Sequence, residues 1–154
     1  MNTQLKQLYQ EIILDHNRYP RNYGRLENPT HQARGHNPLC GDQIELTLQI
    51  RDNVIEDIRF EGKSCSICKA SASVMTTVVK GTSLEEAETL FEAFHELLTH
   101  EEPTKVSSLA AEWRDKLSVF STVRLFPVRV KCATLPWHTL HNALKNSTQV
   151  ASTE

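Results

Sequence analysis

The segment Ile44-Glu45-Leu46-Thr47-Leu48-Gln49-Ile50-Arg51-Asp52-Asn53-Val54-Ile55-Glu56-Asp57-Ile58-Arg59-Phe60 decides the fold. Ile44, Leu46, Leu48 and Ile50 alternate with polar residues, the two-residue period of a strand with one buried face. Arg51-Asp52-Asn53 is turn chemistry, and apolar residues resume at Ile58 and Phe60, so the segment reads as an antiparallel hairpin. After Gly62, the run Ile67 to Lys80 is rich in Ala, Ser and Val and stops at Gly81, which predicts a helix with Cys65 just before its start. Ser83 and Glu86 form a capping box for a second helix, whose apolar face is Leu84, Ala87, Leu90, Phe91, Phe94 and Leu98.

Further out the pattern is less regular. Leu5, Leu8, Tyr9, Ile12 and Ile13 recur at helical spacing, giving an amphipathic helix over 3–16. Asn17 to Gly41 is rich in Pro, Asn, Gly and Arg without a period and reads as a long ordered loop. On the other side, His100 to Lys105 reads as a loop, and Ser107 or Ser108 caps a short helix through Trp113. Phe120 to Val130 is irregular and broken at Pro127. A last helix is predicted from about Ala133 to Leu144, which requires Pro136 to lie in its first turn. The expectation is one α+β domain over 1–146, a small antiparallel sheet with helices packed on one face, and a flexible tail over 147–154.

Composition bounds the function. At 154 residues the chain is long enough to bury a core without disulfide help. With 17 basic against 19 acidic residues and no like-charge block, it lacks the electrostatic footprint of a nucleic-acid binder. It has no membrane-spanning apolar run, and Met1-Asn2-Thr3-Gln4-Leu5-Lys6 has neither a signal core nor a transit pattern, so the expected location is cytoplasmic. In that reducing setting Cys40, Cys65, Cys68 and Cys132 read as metal ligands or reactive thiols rather than a disulfide framework.

Cys40 ends a loop entering a strand, Cys65 ends a strand entering a helix, and Cys132 precedes a predicted helix, so the three can converge. Helix N-termini stabilise thiolates for metal binding and for nucleophilic attack alike. Asp42 shares a strand face with Cys40 if the strand has begun, and three sulfurs with one oxygen suit tetrahedral zinc. Four anionic donors around a divalent ion leave a negative site, with the harder Asp42 oxygen as its weak point. Arg129 and Lys131, flanking Cys132, can offset that charge or attract an acidic partner.

Other readings stay open at this level. A free cysteine is commonly a buried apolar residue. Cys65 and Cys68 form a C-x-x-C, but a thioredoxin-like pair needs a βαβ setting and a zinc ribbon needs two such pairs. Cys68 serves as helix packing, spare ligand or resolving thiol. His95, His100, His138 and His141 read as solvated surface, His31 and His36 as loop hydrogen-bonders, and Trp113 and Trp137 as core or rim packing. A zinc-stabilised binding module without transfer chemistry is the alternative class; it predicts unfolding on metal removal.

The sequence resembles the U-type iron-sulfur cluster assembly proteins: IscU, SufU and the N-terminal domain of NifU. The likeness rests on Asp15-His16 through Tyr19-Pro20-Arg21-Asn22-Tyr23-Gly24, on Gly35-His36-Asn37-Pro38-Leu39-Cys40-Gly41-Asp42, on Cys65-Ser66-Ile67 with Ala70-Ser71-Ala72-Ser73, and on Phe126-Pro127-Val128-Arg129-Val130-Lys131-Cys132-Ala133-Thr134-Leu135. IscU-like members carry a His before the third cysteine and a Leu-Pro-Pro-Val-Lys motif upstream, where this chain has Lys131 and Leu125-Phe126-Pro127-Val128-Arg129. Residues 66–131 form a long spacing between Cys65 and Cys132, as in the SufU branch.

SufU-like membership implies the SufE/IscU-like α+β fold and zinc held by Cys40, Asp42, Cys65 and Cys132. It implies a SufS-type cysteine desulfurase as partner, with persulfide sulfur passed to Cys40 as the catalytic thiol, and iron-sulfur assembly or client proteins downstream. That makes it a zinc-dependent sulfur acceptor rather than a stand-alone enzyme. Family members are also scaffolds on which the same ligands hold a transient [2Fe-2S] cluster or iron. Three positions depart from the pattern: Ser64 where Gly is usual, Cys68 where a small residue is usual, and Pro136 where Ala is usual.

Overall fold

A computed structural model describes residues 2–145 and 151–152. Its strands β1 (His31–Asn37), β2 (Asp42–Arg51), β3 (Val54–Lys63) and β4 (Ala151–Ser152) form a sheet in the order β3-β2-β1-β4. The central pairings are antiparallel and β4 runs parallel to β1. The predicted hairpin is β2–β3, closed by Asp52 and Asn53, whose φ angles of 51° and 65° suit the two-residue turn that matches strand twist. Ile44, Leu46 and Leu48 on β2, with Ile58 and Phe60 on β3, are buried.

The helices are α1 (Thr3–Arg18), α2 (Ser66–Val79), α3 (Leu84–Thr99), α4 (Ala111–Ser118) and α5 (Pro127–Leu144). Helices α2 and α5 pack together and onto the sheet, α1 covers α2, and α3 lies against α5. Phe94, Phe120 and Trp137 fill the helical side, with Phe94 stacked on Trp137 at 4.9 Å between ring centroids. The capping box of α3 is formed: Glu86 N–H donates to Ser83 Oγ at 3.1 Å, and Ser83 N–H to Glu86 Oε1 at 2.9 Å. No helix among the described residues is long and apolar enough to cross a membrane.

The structure corrects the sequence reading in several places. Residues 31–37, expected as loop, are strand β1. Its inward residues Ala33, Gly35 and Asn37 alternate correctly but are small, so no hydrophobic period appears in the sequence. They are small because α5 lies against them: a Cβ on Gly35 would sit 2.0 Å from Thr139 Oγ1 and 3.1 Å from Leu135 Cδ1. The last helix starts at Pro127, not near Ala133, so Pro127 is the first-turn proline and Pro136 lies inside the helix. The short helix is α4, preceded by a 3-10 turn at Val106–Ser108 and capped by no side chain. In the segment expected to fray, Ala151 and Ser152 pair with Gly35 and His36. Residues 146–150 and 153–154, with the expected domain limit, lie outside the described residues.

Candidate metal centre

The hairpin loop Pro38–Gly41 joins β1 to β2, with Asn37 paired to Asp42 at its base. It is held by Cys40 N–H donating to the Asn37 carbonyl at 3.3 Å and Leu39 N–H donating to Asn37 Oδ1 at 3.3 Å. Gly41 takes φ +71°, a left-handed conformation that glycine adopts without strain. Cys40 is thereby exposed at the hairpin tip beside exposed Leu39. Asp42 opens β2 and is buried.

Cys65 is the N-cap of α2; its sulfur accepts the Cys68 N–H at 3.4 Å. Its own N–H donates to Asp42 Oδ1 at 2.7 Å, and its thiol lies 3.7 Å from Asp42 Oδ2. Cys132 comes from the facing helix. It is the sixth residue of α5, so of the two cysteines expected at helix starts only Cys65 stands at one. The Cys132 thiol is 3.4 Å from Cys40 Sγ and accepts from Asn37 Nδ2 at 3.6 Å.

Ligating atoms of Cys40, Asp42 and Cys132 all lie within 4.8 Å of one another, and Cys65 joins this group through Asp42. In a tetrahedral zinc site with bonds of about 2.3 Å to sulfur, neighbouring ligand atoms lie about 3.8 Å apart. The Cys132–Cys40 and Cys65–Asp42 separations are close to that edge length; Cys40, Asp42 and Cys132 form a group compact enough for a zinc ion, with Cys65 beside it. Burial, then hydrogen-bond contacts with Cys40 and Cys65, push the Cys132 thiol well above its usual range. A metal arriving here displaces a proton from Cys132, which makes binding pH-dependent.

The remaining candidates separate clearly. Cys68 is fully buried among apolar side chains, and burial followed by the nearby Asp42 and Cys65 charges raises its thiol well above the ordinary value. Arg129 is exposed and lies over the Phe126 ring, 4.7 Å from the centroid, while Lys131 is half-buried. His95, His138 and His141, expected as solvated surface, instead surround Phe91 at centroid distances of 6.0, 5.4 and 4.7 Å. His141 Nδ1 meets Glu88 Oε1 at 2.7 Å. Asn37, given no role from the sequence, is buried against Cys132 and braces the Cys40 loop; its place between Gly35-His36 and Pro38-Leu39-Cys40 was its one visible signal.

The profile of the NifU-like N terminal domain matches residues 8–152. The chain belongs to that family. The U-type resemblance read from the motifs therefore holds over nearly the whole sequence. The chain is similar to the zinc-dependent sulfurtransferase SufU of Bacillus subtilis, 37% identical over 143 residues and 93% of each chain. It is also similar to the iron-sulfur cluster assembly scaffold protein IscU of Streptococcus pyogenes, 37% identical over 145 residues, 94% of this chain and 87% of that one. A crystal structure from Fervidobacterium islandicum, described as a candidate cluster assembly scaffold for the SUF system, superposes with a TM-score of 0.80 at 30% identity. That match covers 90% of this chain and 97% of the other. The NifU-like protein of Brucella abortus, at 24% identity and a TM-score of 0.81 over 94% and 96% of the two chains, shares the fold.

Proposed function

We propose that this protein acts in iron-sulfur cluster assembly as a sulfur acceptor. Its Cys40 takes persulfide sulfur from a SufS-type cysteine desulfurase at a site where Cys40, Asp42, Cys65 and Cys132 hold zinc. The observation that carries this reading is the contrast in exposure: Cys40 stands at an open hairpin tip while Cys132, 3.4 Å away, is buried and Cys65 half-buried. Cys40 is thus the donor of the set that a partner's persulfide can reach. The 37% identity to a zinc-dependent sulfurtransferase supports the same assignment.

When bound, zinc keeps the thiols deprotonated and shields them from oxidation. Cys40, as a thiolate, attacks the terminal sulfur of the donor persulfide. The Cys40 Sγ–S bond forms, the donor S–S bond breaks, and the donor cysteine departs as its thiolate. The transferred sulfur keeps its oxidation state, so no external oxidant or reductant enters. Asp42 accepts the Cys65 N–H, and Asn37 Nδ2 donates to the Cys132 sulfur.

Stimulation of a SufS-type desulfurase tests the assignment. Cysteine turnover under reductant rises when the zinc-loaded protein is added and stays at the basal rate with Cys40→Ala; equal stimulation by the variant overturns it. The similarity to proteins named as scaffolds favours a second reading, a [2Fe-2S] cluster built on the same four donors and passed to client proteins. Anaerobic reconstitution with iron and sulfide tests that reading: a stable cluster spectrum that requires Asp42 and the three cysteines supports it, and its failure removes it.

A further inference from the structure

Helix α5 carries Cys132 and, four residues on, Pro136. Proline has no N–H, so the bond that an α-helix directs from residue 136 to the Cys132 carbonyl is missing, and the ring crowds that carbonyl. The two halves of α5 are held very differently. Beyond the break Trp137, Thr139 and Leu140 are buried and Thr139 presses on β1 at Gly35, while the stretch that the break spans, Cys132 to Leu135, is buried as well and its Ala133 carbonyl accepts from Ser71 Oγ at 2.5 Å. Before it, Pro127, Val128 and Arg129 are exposed, Val128 at 56%, and the N-cap Phe126 supplies no side-chain hydrogen bond. The segment that bears Cys132 is thus tied to the rest of α5 by one bond fewer, at the position of Cys132 itself.

We propose that Pro136 is a positioning residue for Cys132. It makes Pro127–Cys132 a segment that moves as a unit about the break, carrying the Cys132 thiol toward or away from Cys40, Asp42 and Cys65. Of the other donors, Asp42 opens β2, Cys65 is the N-cap of α2 and Cys40 stands on the loop between β1 and β2, so Cys132 is the one carried on a helix with an internal proline. Opening at Cys132 lengthens its 3.4 Å approach to Cys40 and loosens the hold of the set on the exposed thiol. The use of this motion in sulfur acceptance rests on the function proposed above. The test below uses metal-free protein and reads neither metal binding nor sulfur transfer, so the two fail separately.

Cys132 is 3% exposed, so an alkylating reagent reaches it only when its segment opens. Site-resolved alkylation with iodoacetamide, followed by peptide mass spectrometry, is compared between the native sequence and Pro136→Ala, which restores the missing donor. The expected result is a Cys132 rate slowed about fivefold, the effect of one recovered helical hydrogen bond, with the Cys65 rate unchanged. An unchanged Cys132 rate, or equal slowing at Cys65, overturns the proposal. Amide hydrogen exchange of the unaltered protein gives a reading that needs no variant. Amides of 130–133 exchange faster than those of 138–143, and equal protection across the two stretches overturns it as well.

Discussion

The Asp42 carboxylate bridges the start of β2 to the N-cap of α2: one oxygen accepts the Cys65 N–H at 2.7 Å and the other lies 3.7 Å from its thiol. Asp42 is therefore both a donor facing the site and a brace for a neighbouring donor. Asparagine keeps an oxygen for the Cys65 N–H, whereas alanine leaves that amide unpaired. In metal-free protein Asp42→Ala is expected to be less stable than Asp42→Asn by about 1–2 kcal/mol in chemical denaturation. Both variants bind zinc more weakly than the native protein. Equal stability of the two would show that the brace contributes nothing.

Packing of β1 against α5 sets the second expectation. The Cβ of Gly35→Ala would meet Thr139 Oγ1 at 2.0 Å, and the opposing helix is anchored by buried Leu135 and Trp137. Overpacking of this kind costs about 1–3 kcal/mol. The thermal midpoint of Gly35→Ala should fall accordingly, and an unchanged midpoint would mean that α5 is free to shift outward.

The histidines around Phe91 give the domain an acid limit. Burial, then the neighbouring His95 and His141, lower His138 to about 4 from an ordinary 6.5. Burial, then His100 and Lys105, also lower His95. As pH falls the unfolded imidazole takes its proton first, so stability is full above about 6.5 and declines toward 4. Between pH 7 and 4.5, His138→Phe should lose on the order of 2 kcal/mol less unfolding free energy than the native metal-free protein, discounting for partial exposure of the ring. Identical pH slopes for the two proteins would contradict this.

Cys68 sits in the core, not at the metal centre. Cys68→Ala should leave zinc stoichiometry at one per chain while lowering stability by about 1–2 kcal/mol through the space it opens. Loss of zinc on this substitution would restore Cys68 as a ligand.

The β2–β3 hairpin, α2 and α3 were legible in the sequence because each joins a period, or in α2 an Ala-, Ser- and Val-rich run, to its own punctuation: Asp52-Asn53, Gly81 and the Ser83–Glu86 box. Strand β1 was hidden because close approach of α5 demands small residues where a hydrophobic period would have shown. The start of α5 was misplaced because two prolines compete for one first turn, and only the packing around Leu135 and Trp137 shows that Pro136 is carried inside the helix. The convergence of Cys40, Asp42, Cys65 and Cys132 was readable from their chemistry and motif. The part of Asn37 was not, since a fully buried amide between a loop and a distant thiol leaves no local pattern. The histidines clustered on Phe91 met only after α3 and α5 packed together.

Peptide-resolved mass spectrometry of the zinc-loaded protein after one turnover of a SufS-type desulfurase with cysteine tests the central claim most directly. The account predicts one added sulfur, on Cys40, with Cys65, Cys68 and Cys132 unmodified. Persulfide on Cys65 or Cys132, or on none of the four, would contradict it.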